Sequence, residues 1–527
     1  MDGLILFELV LAMLLAAVAL HYLANRLRVP PAAVLILGGA VLAFVPGLPP
    51  VTLEPELVLV LFLPPLLMDG AWVIPLRHLR RHLVGILSLA VGAVIFTTAV
   101  VALVTHMLMP DLPWAACAVL GAIVSAPDAI SARAVLQRVQ LPPRLAILLE
   151  GESLLNDAAG LVLFRFAVAA AVTGAFNAFE AVGSFLLIGL GGAAVGAVMG
   201  ALWVYVAKRL HDEYLVTALT ALTCWGTYLL AERLQVSGVI ATVVTGLVCG
   251  WYQHAVLSAA IRVRSLSFWH VMIFLLEASV FILIGFELQE VIERAGGLHV
   301  VLHQMLEPTL WILLALTLAR VAWVFLSDAI TELCHRLGLA RIQSLGWRGS
   351  AVLSWAGMRG VATLAVALSV PDDVPGRDFI VVASFIVILV TVLLQGTTLG
   401  FVIRHLRPPE AGSHVAPLNL ADAQAALAEV QAKLVEQRSS GPEGVFLDSD
   451  LLEAYRHRSN RIRLYSEDPE QHRQQLQAHL SLKLEAIAAA RSELLRLHRS
   501  GQIDNHVLYE LERNLDLEEL VVRSARR

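Results

Sequence analysis

Apolar runs recur from the start of the chain to residue 407, separated by short polar breaks. Most are about 17–30 residues long, the length a helix needs to cross the hydrocarbon layer of a bilayer. Thirteen are predicted, over residues 3–24, 30–47, 53–75, 83–107, 112–136, 143–174, 179–207, 214–232, 236–251, 267–290, 308–330, 349–371 and 378–404. The second and the ninth are short and rich in glycine. The first reads as a span rather than a cleaved leader, because Asp2 stands where a basic start would and Arg26 and Arg28 follow it. After Pro408 and Pro409 the pattern changes: residues 417–527 are rich in Glu, Arg, Gln and Ala, with Leu508, Leu511, Leu515 and Val521 at helical spacing. The fold class expected is an all-α polytopic membrane domain over residues 1–407, followed by a soluble, helical cytoplasmic tail over 408–527.

Composition agrees with that pattern. Hydrophobic residues make up 58% and charged residues 15% of 527 positions, and the mean hydropathy is +0.74, where a soluble domain carries about a quarter charged residues. The net charge of −5 is unevenly spread and points to no nucleic-acid partner. Cys117, Cys224, Cys249 and Cys334 have no paired spacing, so neither a zinc site nor a disulfide framework is expected. Basic residues collect in alternate loops: Arg26 and Arg28, Arg77 to Arg81, Arg138 and Arg144, Lys208 and Arg209, Arg262 and Arg264, Arg336 to Arg348. The positive-inside rule then puts the N-terminus outside and the tail in the cytoplasm.

Thirteen spans divide as six, one and six, and the seventh forces the second unit to enter from the opposite side. That is the arrangement of inverted repeats, whose sites form where broken helices meet. The paired fifth and twelfth spans both carry breakers with a charge: Ser125-Ala126-Pro127-Asp128, and Ser354-Trp355-Ala356-Gly357-Met358-Arg359-Gly360.

The candidate chemistry lies in the sixth span, at Gly151-Glu152-Ser153-Leu154-Leu155-Asn156-Asp157. Ionisable groups at membrane depth cost roughly 2.5–3.5 kcal/mol on insertion scales and usually mark an ion or proton pathway. Asp157, once removed from water, is neutralised by a proton or by a monovalent cation, and competition between them becomes exchange if the site faces the two sides in turn. Asn156 offers an amide oxygen or a brace, and Ser153 falls on the same helix face as Asp157. Asp128 supplies a second carboxylate, or else caps a kinked helix end. Glu152 needs a partner, and Arg359 is the leading one, with Glu277 a further partner for that arginine. Arg165 snorkels outward; Arg320 meets either a cavity or the lipid boundary, and the pattern does not choose. The ladder Gly192, Gly196, Gly200 reads as a close helix contact. No phosphate-binding loop and no dinucleotide fingerprint occurs, so neither ATP nor another cofactor is expected. Potassium or another proton-coupled solute is an alternative cargo. An intramembrane hydrolase using Asp128 and Asp157, or a tail that does the work while the membrane part anchors it, are readings from other classes.

The string Gly151 to Asp157 resembles the signature of the monovalent cation:proton antiporter-1 family, the bacterial and eukaryotic sodium/proton exchangers. Leu63-Pro64-Pro65-Leu66-Leu67, Ser237-Gly238-Val239, Gly357-Met358-Arg359-Gly360, Gln395-Gly396-Thr397 and the tail sequence Leu511 to Glu519 extend the likeness over nearly the whole chain. The resemblance implies a homodimer in the bacterial inner membrane, with a moving core working by an elevator-like motion. Asp157 would carry cation and proton with Asn156 as partner, and Asp128 would be the acidic group of the unwound helix. Glu152 and Arg359 would form a stabilising ion pair. Asn before Asp implies electroneutral exchange, sodium being the expected cation. Here Pro127 precedes Asp128, where many relatives place Thr-Asp-Pro or Asp-Pro, and Glu277 falls where many carry a neutral polar residue.

Overall fold

The computed structural model describes residues 3–27, 29–44, 55–74, 76–128, 141–174, 178–338, 344–408, 420–439, 449–467, 469–500, 502 and 505–526. The chain divides into two compact units, Met1–Ala411 and Gly412–Arg527.

In the first unit the helices are α1 (Gly3–Leu27), α2 (Pro31–Ala43), α3 (Pro55–Val73), α4 (Leu76–Leu87), α5 (Val94–Leu108), α6 (Trp114–Ser125) and α7 (Pro143–Thr173). They continue as α8 (Ala178–Ala207), α9 (Glu213–Arg233), α10 (Gly238–Val256), α11 (Ala259–Phe286), α12 (Leu288–Arg294), α13 (Leu298–Val300) and α14 (Leu306–Arg336). The last four are α15 (Gly346–Trp355), α16 (Val361–Leu368), α17 (Arg377–Val390) and α18 (Gly396–Leu406). Three π-helical turns, Ser88–Ala93, Val301–Met305 and Thr391–Gln395, join α4 to α5, α13 to α14 and α17 to α18.

Among the described residues nine helices are long and apolar enough to cross a membrane, and Pro31–Ala43, Leu57–Val73 and Trp114–Ser125 are shorter apolar helices. Local sequence sets their ends. Pro143 starts α7 with its φ already helical, and Gly174 stops it in the left-handed region at φ 71°. The Asp212 carboxylate accepts from the amides of Tyr214 and Leu215 at 2.8 and 2.9 Å and caps α9, while the hydroxyls of Ser237 and Ser258 cap α10 and α11.

The expected fourth span, 83–107, is longer than its pattern suggested, because amphipathic α4 extends it back to Leu76. The expected fifth span, 112–136, stops being helical at Ser125, and residues 129–140 lie outside the described residues. The expected twelfth span is split into α15 and α16 around Ala356–Gly360. Both interruptions fall on the breaker strings: Pro127 has no N–H to continue a ladder, and Gly357 and Gly360 weaken the helix from within.

Packing is tight where small residues face a backbone. On α8, a Cβ at Gly192 would come within 2.6 Å of the Ser237 carbonyl oxygen, and one at Gly196 would overlap that of Ala241 on α10. The Thr245 hydroxyl donates to the Gly196 carbonyl at 3.0 Å across the same seam. The ladder is therefore a contact face, as its spacing indicates. The opposite face of α8 shows Leu187, Leu190 and Val198 exposed, as suits side chains against lipid.

The second unit holds α19 (Leu420–Ser439), α20 (Ser449–Glu467), α21 (Pro469–Arg499) and α22 (Asn505–Arg526). Helices α21 and α22 bury Leu480, Ile487 and Val522 between them. Arg491 reaches across from α21 to Asp516 at 2.5 Å and Glu519 at 2.8 Å.

Candidate functional site

Where α6 ends, Ala126 is extended (φ −77°, ψ 116°) and Pro127 and Asp128 are unwound. Where α15 ends, Ala356–Gly360 is unwound in the same way. The two stretches meet: the Asp128 amide donates to the Met358 carbonyl at 2.7 Å. Gly360 lies so close that a Cβ there would overlap Asp128 Oδ2, so a side chain at this position would displace the Asp128 carboxylate.

Unwinding leaves the last carbonyls of each half-helix without helical donors, an expense inside a membrane. Two buried arginines supply the donors. Arg359 gives Nε–H to the Val124 carbonyl at 2.7 Å and Nη2–H to that of Ser125 at 3.4 Å, both at the end of α6, and Nη1–H to Gly357. Arg320, from α14, gives Nε–H to the Ser354 carbonyl and Nη2–H to that of Leu353, each at 3.2 Å, at the end of α15. A cation at a helix C-terminus also sits favourably in the helix dipole. Thr391, in a π-helical turn, accepts from the Arg359 amide at 3.1 Å and so pins the crossing from behind.

The ion pair expected between Glu152 and Arg359 is corrected. Glu152, 1% exposed, takes a fork of two hydrogen bonds from Arg320: Nη1 to Oε1 at 2.6 Å and Nη2 to Oε2 at 3.0 Å. Arg359 spends its side-chain donors on carbonyls instead. Glu277 is also displaced from its expected role beside Arg359. It lines a separate cavity of about 600 Å³ with His21, Asp69, Glu150 and His270. Arg165 makes an exposed ion pair with Glu232 on α9 at 3.3 Å.

The remaining candidates gather around residues 126–128. Asn156, wholly buried, donates from Nδ2 to the Pro127 carbonyl, and this bond fixes the amide with Oδ1 left unbonded among the described residues. Ser153 and Asp128 line one small cavity beside the Glu152–Arg320 pair. Asp157, half-buried, lines another of about 20 Å³, bounded by Leu63, Ala126, Gly160, Val239 and Thr363. That volume holds about one water molecule or a small ion. Asp128 is within electrostatic range of Asp157. Leu63 belongs to the Leu-Pro-Pro-Leu-Leu string and Val239 to Ser-Gly-Val, so motifs far apart in the chain converge on Asp157. Sequence reasoning left Arg320 undecided and missed Thr363 and Thr391. The one available signal was that Arg320 is the lone Lys or Arg within the expected span 308–330.

The family model for the transmembrane sodium/hydrogen exchanger matches residues 10–405. The chain belongs to this family. An uncharacterised Na⁺/H⁺ exchanger of Mycobacterium tuberculosis is 32% identical over 98% of this chain and 97% of its own length. A sodium, potassium, lithium and rubidium/H⁺ antiporter of Bacillus pumilus is 34% identical over 74% of this chain and 60% of its own. The solved sodium proton antiporter MjNhaP1 of Methanocaldococcus jannaschii shares the fold, with a TM-score of 0.61 over 77% of this chain and 99% of its own, at 20% identity. The exchanger is thus a multi-pass membrane transporter and not an enzyme, which sets aside the intramembrane-hydrolase reading.

Proposed function

We propose that this exchanger moves a monovalent cation against a proton, with Asp157 as the group for which the two compete. The observation that carries the reading is the setting of Asp157: half-buried, at a cavity of about 20 Å³ beside an unwound backbone, with Asn156 and Asp128 alongside. Protonated, the carboxyl is neutral. When the proton leaves, a cation takes its place, with Asp128, Ser153 and the Asn156 amide oxygen as its candidate oxygen ligands in place of water. One charge replaces another at one carboxylate, so the exchange is electroneutral and needs no resident cofactor. Sodium is the expected cation. Potassium is the second reading, favoured by the Bacillus pumilus relative whose name covers several alkali cations.

The rest of the assignment completes an alternating-access device: thirteen spans in two inverted six-helix repeats, a homodimer in the bacterial inner membrane, the N-terminus outside and the tail in the cytoplasm. On that orientation the cavity of about 600 Å³ lies on the cytoplasmic side, among helix ends next to Arg26, Arg77 and Arg264. Glu150 on its wall is seven residues before Asp157 on α7, about 10 Å of helix rise.

The test is dissipation of a preset proton gradient in everted vesicles on adding Na⁺, K⁺ or Li⁺. Wild type should respond to at least one cation and Asp157→Asn to none, with no dependence on membrane potential. An unchanged response in Asp157→Asn would remove the assignment.

A further inference from the structure

The oxygens so far assigned to the cation come from one side of the crossing. Asp157, Ser153 and Asn156 stand on α7, and Asp128 on the unwound end of α6. The cavity of about 20 Å³ at Asp157 has a second wall, formed where α16 restarts after the break at Ala356–Gly360. Thr363, in the first turn of α16, lies on that wall and is only 4% exposed. Among the described residues lining the cavity, Thr363 and Asp157 are the polar side chains, and the others are aliphatic residues or glycine.

A threonine inside a helix can satisfy its hydroxyl on the carbonyl four residues back. Thr227, Thr242 and Thr309 do so here, at 2.7, 2.9 and 2.6 Å. The residue four before Thr363 is Arg359, which belongs to the unwound stretch, and the Thr363 hydroxyl makes no hydrogen bond among the described residues. A buried hydroxyl without a partner costs free energy. The break in the twelfth span therefore leaves a hydroxyl available at the cavity that Asp157 lines. We infer that the Thr363 hydroxyl oxygen is a ligand of the transported cation and helps set which cation is taken. A hard cation stripped of water needs oxygens in its place, and the rest of this wall is hydrocarbon. The Thr363 methyl group takes up volume beside a cavity that holds about one small ion, so the residue also bears on ion size. The inference rests on Asp157 as the exchanging carboxylate. It adds a ligand from the other broken span, so that a bound cation ties α7 to α16.

The experiment measures the apparent KM for Li⁺, Na⁺, K⁺ and Rb⁺ in everted vesicles carrying wild type, Thr363→Val or Thr363→Ser. Valine keeps the branched shape and removes the hydroxyl. Thr363→Val should raise the KM for the cation that wild type prefers by roughly 10–100-fold, the worth of one polar contact to a charged group. Its maximal rate should change far less. Thr363→Ser keeps the oxygen and removes the methyl group, so it should restore a low KM and move the preference toward the next larger cation. The melting temperature of each purified variant separates lost binding from lost folding. A wild-type KM in folded Thr363→Val overturns the inference. So does a cation preference left unmoved by Thr363→Ser, the variant that decides if valine is not tolerated. A wild type that answers no cation, or an Asp157→Asn that answers as wild type does, instead removes the exchange assignment beneath it.

Discussion

At the scale of single residues, the site rests on which arginine answers which acceptor. Glu152 and Arg320 form a forked pair, both nearly inaccessible, so removing either partner strands the other charge. Glu152→Gln and Arg320→Gln should each destabilise the protein by about 3–5 kcal/mol. In a thermal double-mutant cycle, Glu152 should couple strongly to Arg320 and weakly to Arg359; the reverse ranking would restore the pairing expected from sequence. Gly360→Ala should abolish exchange in vesicles, because its methyl group would occupy the space of Asp128 Oδ2. The polar cluster from Glu152 to Asp157 was legible because charge inside an apolar run is rare and local. The partner of Glu152 was not, since Arg320 is 168 residues away and only the tertiary crossing brings the two together.

At the scale of elements, each half of the crossing is completed by a residue from elsewhere. The unwound end of α6 is closed by an arginine of the other broken span, and the end of α15 by an arginine of unbroken α14. Arg359 serves three carbonyls with a planar fork that a lysine ammonium does not match. Arg359→Lys should therefore lower both thermal stability and exchange rate while leaving the choice of cation unchanged, measured by vesicle assays with Na⁺ and K⁺. The breaks themselves were readable, because Pro127 and the glycines at 357 and 360 act through local backbone chemistry. Helix limits were less so: α4 adds a polar, amphipathic extension to the fourth span that a purely apolar count leaves out. The contact between α8 and α10 was readable for the opposite reason, as a period of four small residues leaves little else to explain. Gly196→Ala should cost about 1–3 kcal/mol by overpacking against the Ala241 carbonyl, visible as a lower melting temperature.

At the scale of the whole molecule, the change in composition after Pro409 marks two units with different physics. The first buries charge at a crossing; the second holds its charges on the surface. In the tail, hydrogen bonds from Arg491 and then Arg523 keep the Glu519 carboxyl below its ordinary 4.5. A depressed carboxyl contributes stability that is complete above its unfolded value and is lost as pH falls through the folded one. The Glu519 contribution to the α21–α22 contact should thus be complete at neutral pH and be lost in acid below about pH 4.5. Spin labels on the two helices of the full chain, with Arg491→Gln as control, would report a distance change confined to that range. Every residue assigned to the exchange site lies in the first unit, from Leu63 to Thr391. A chain ending at residue 411 should therefore retain Asp157-dependent exchange with the same cation preference, even if its yield or melting temperature falls. Loss of exchange from a well-folded truncated protein would move part of the machinery into the tail, where sequence pattern and helix packing alone do not place it.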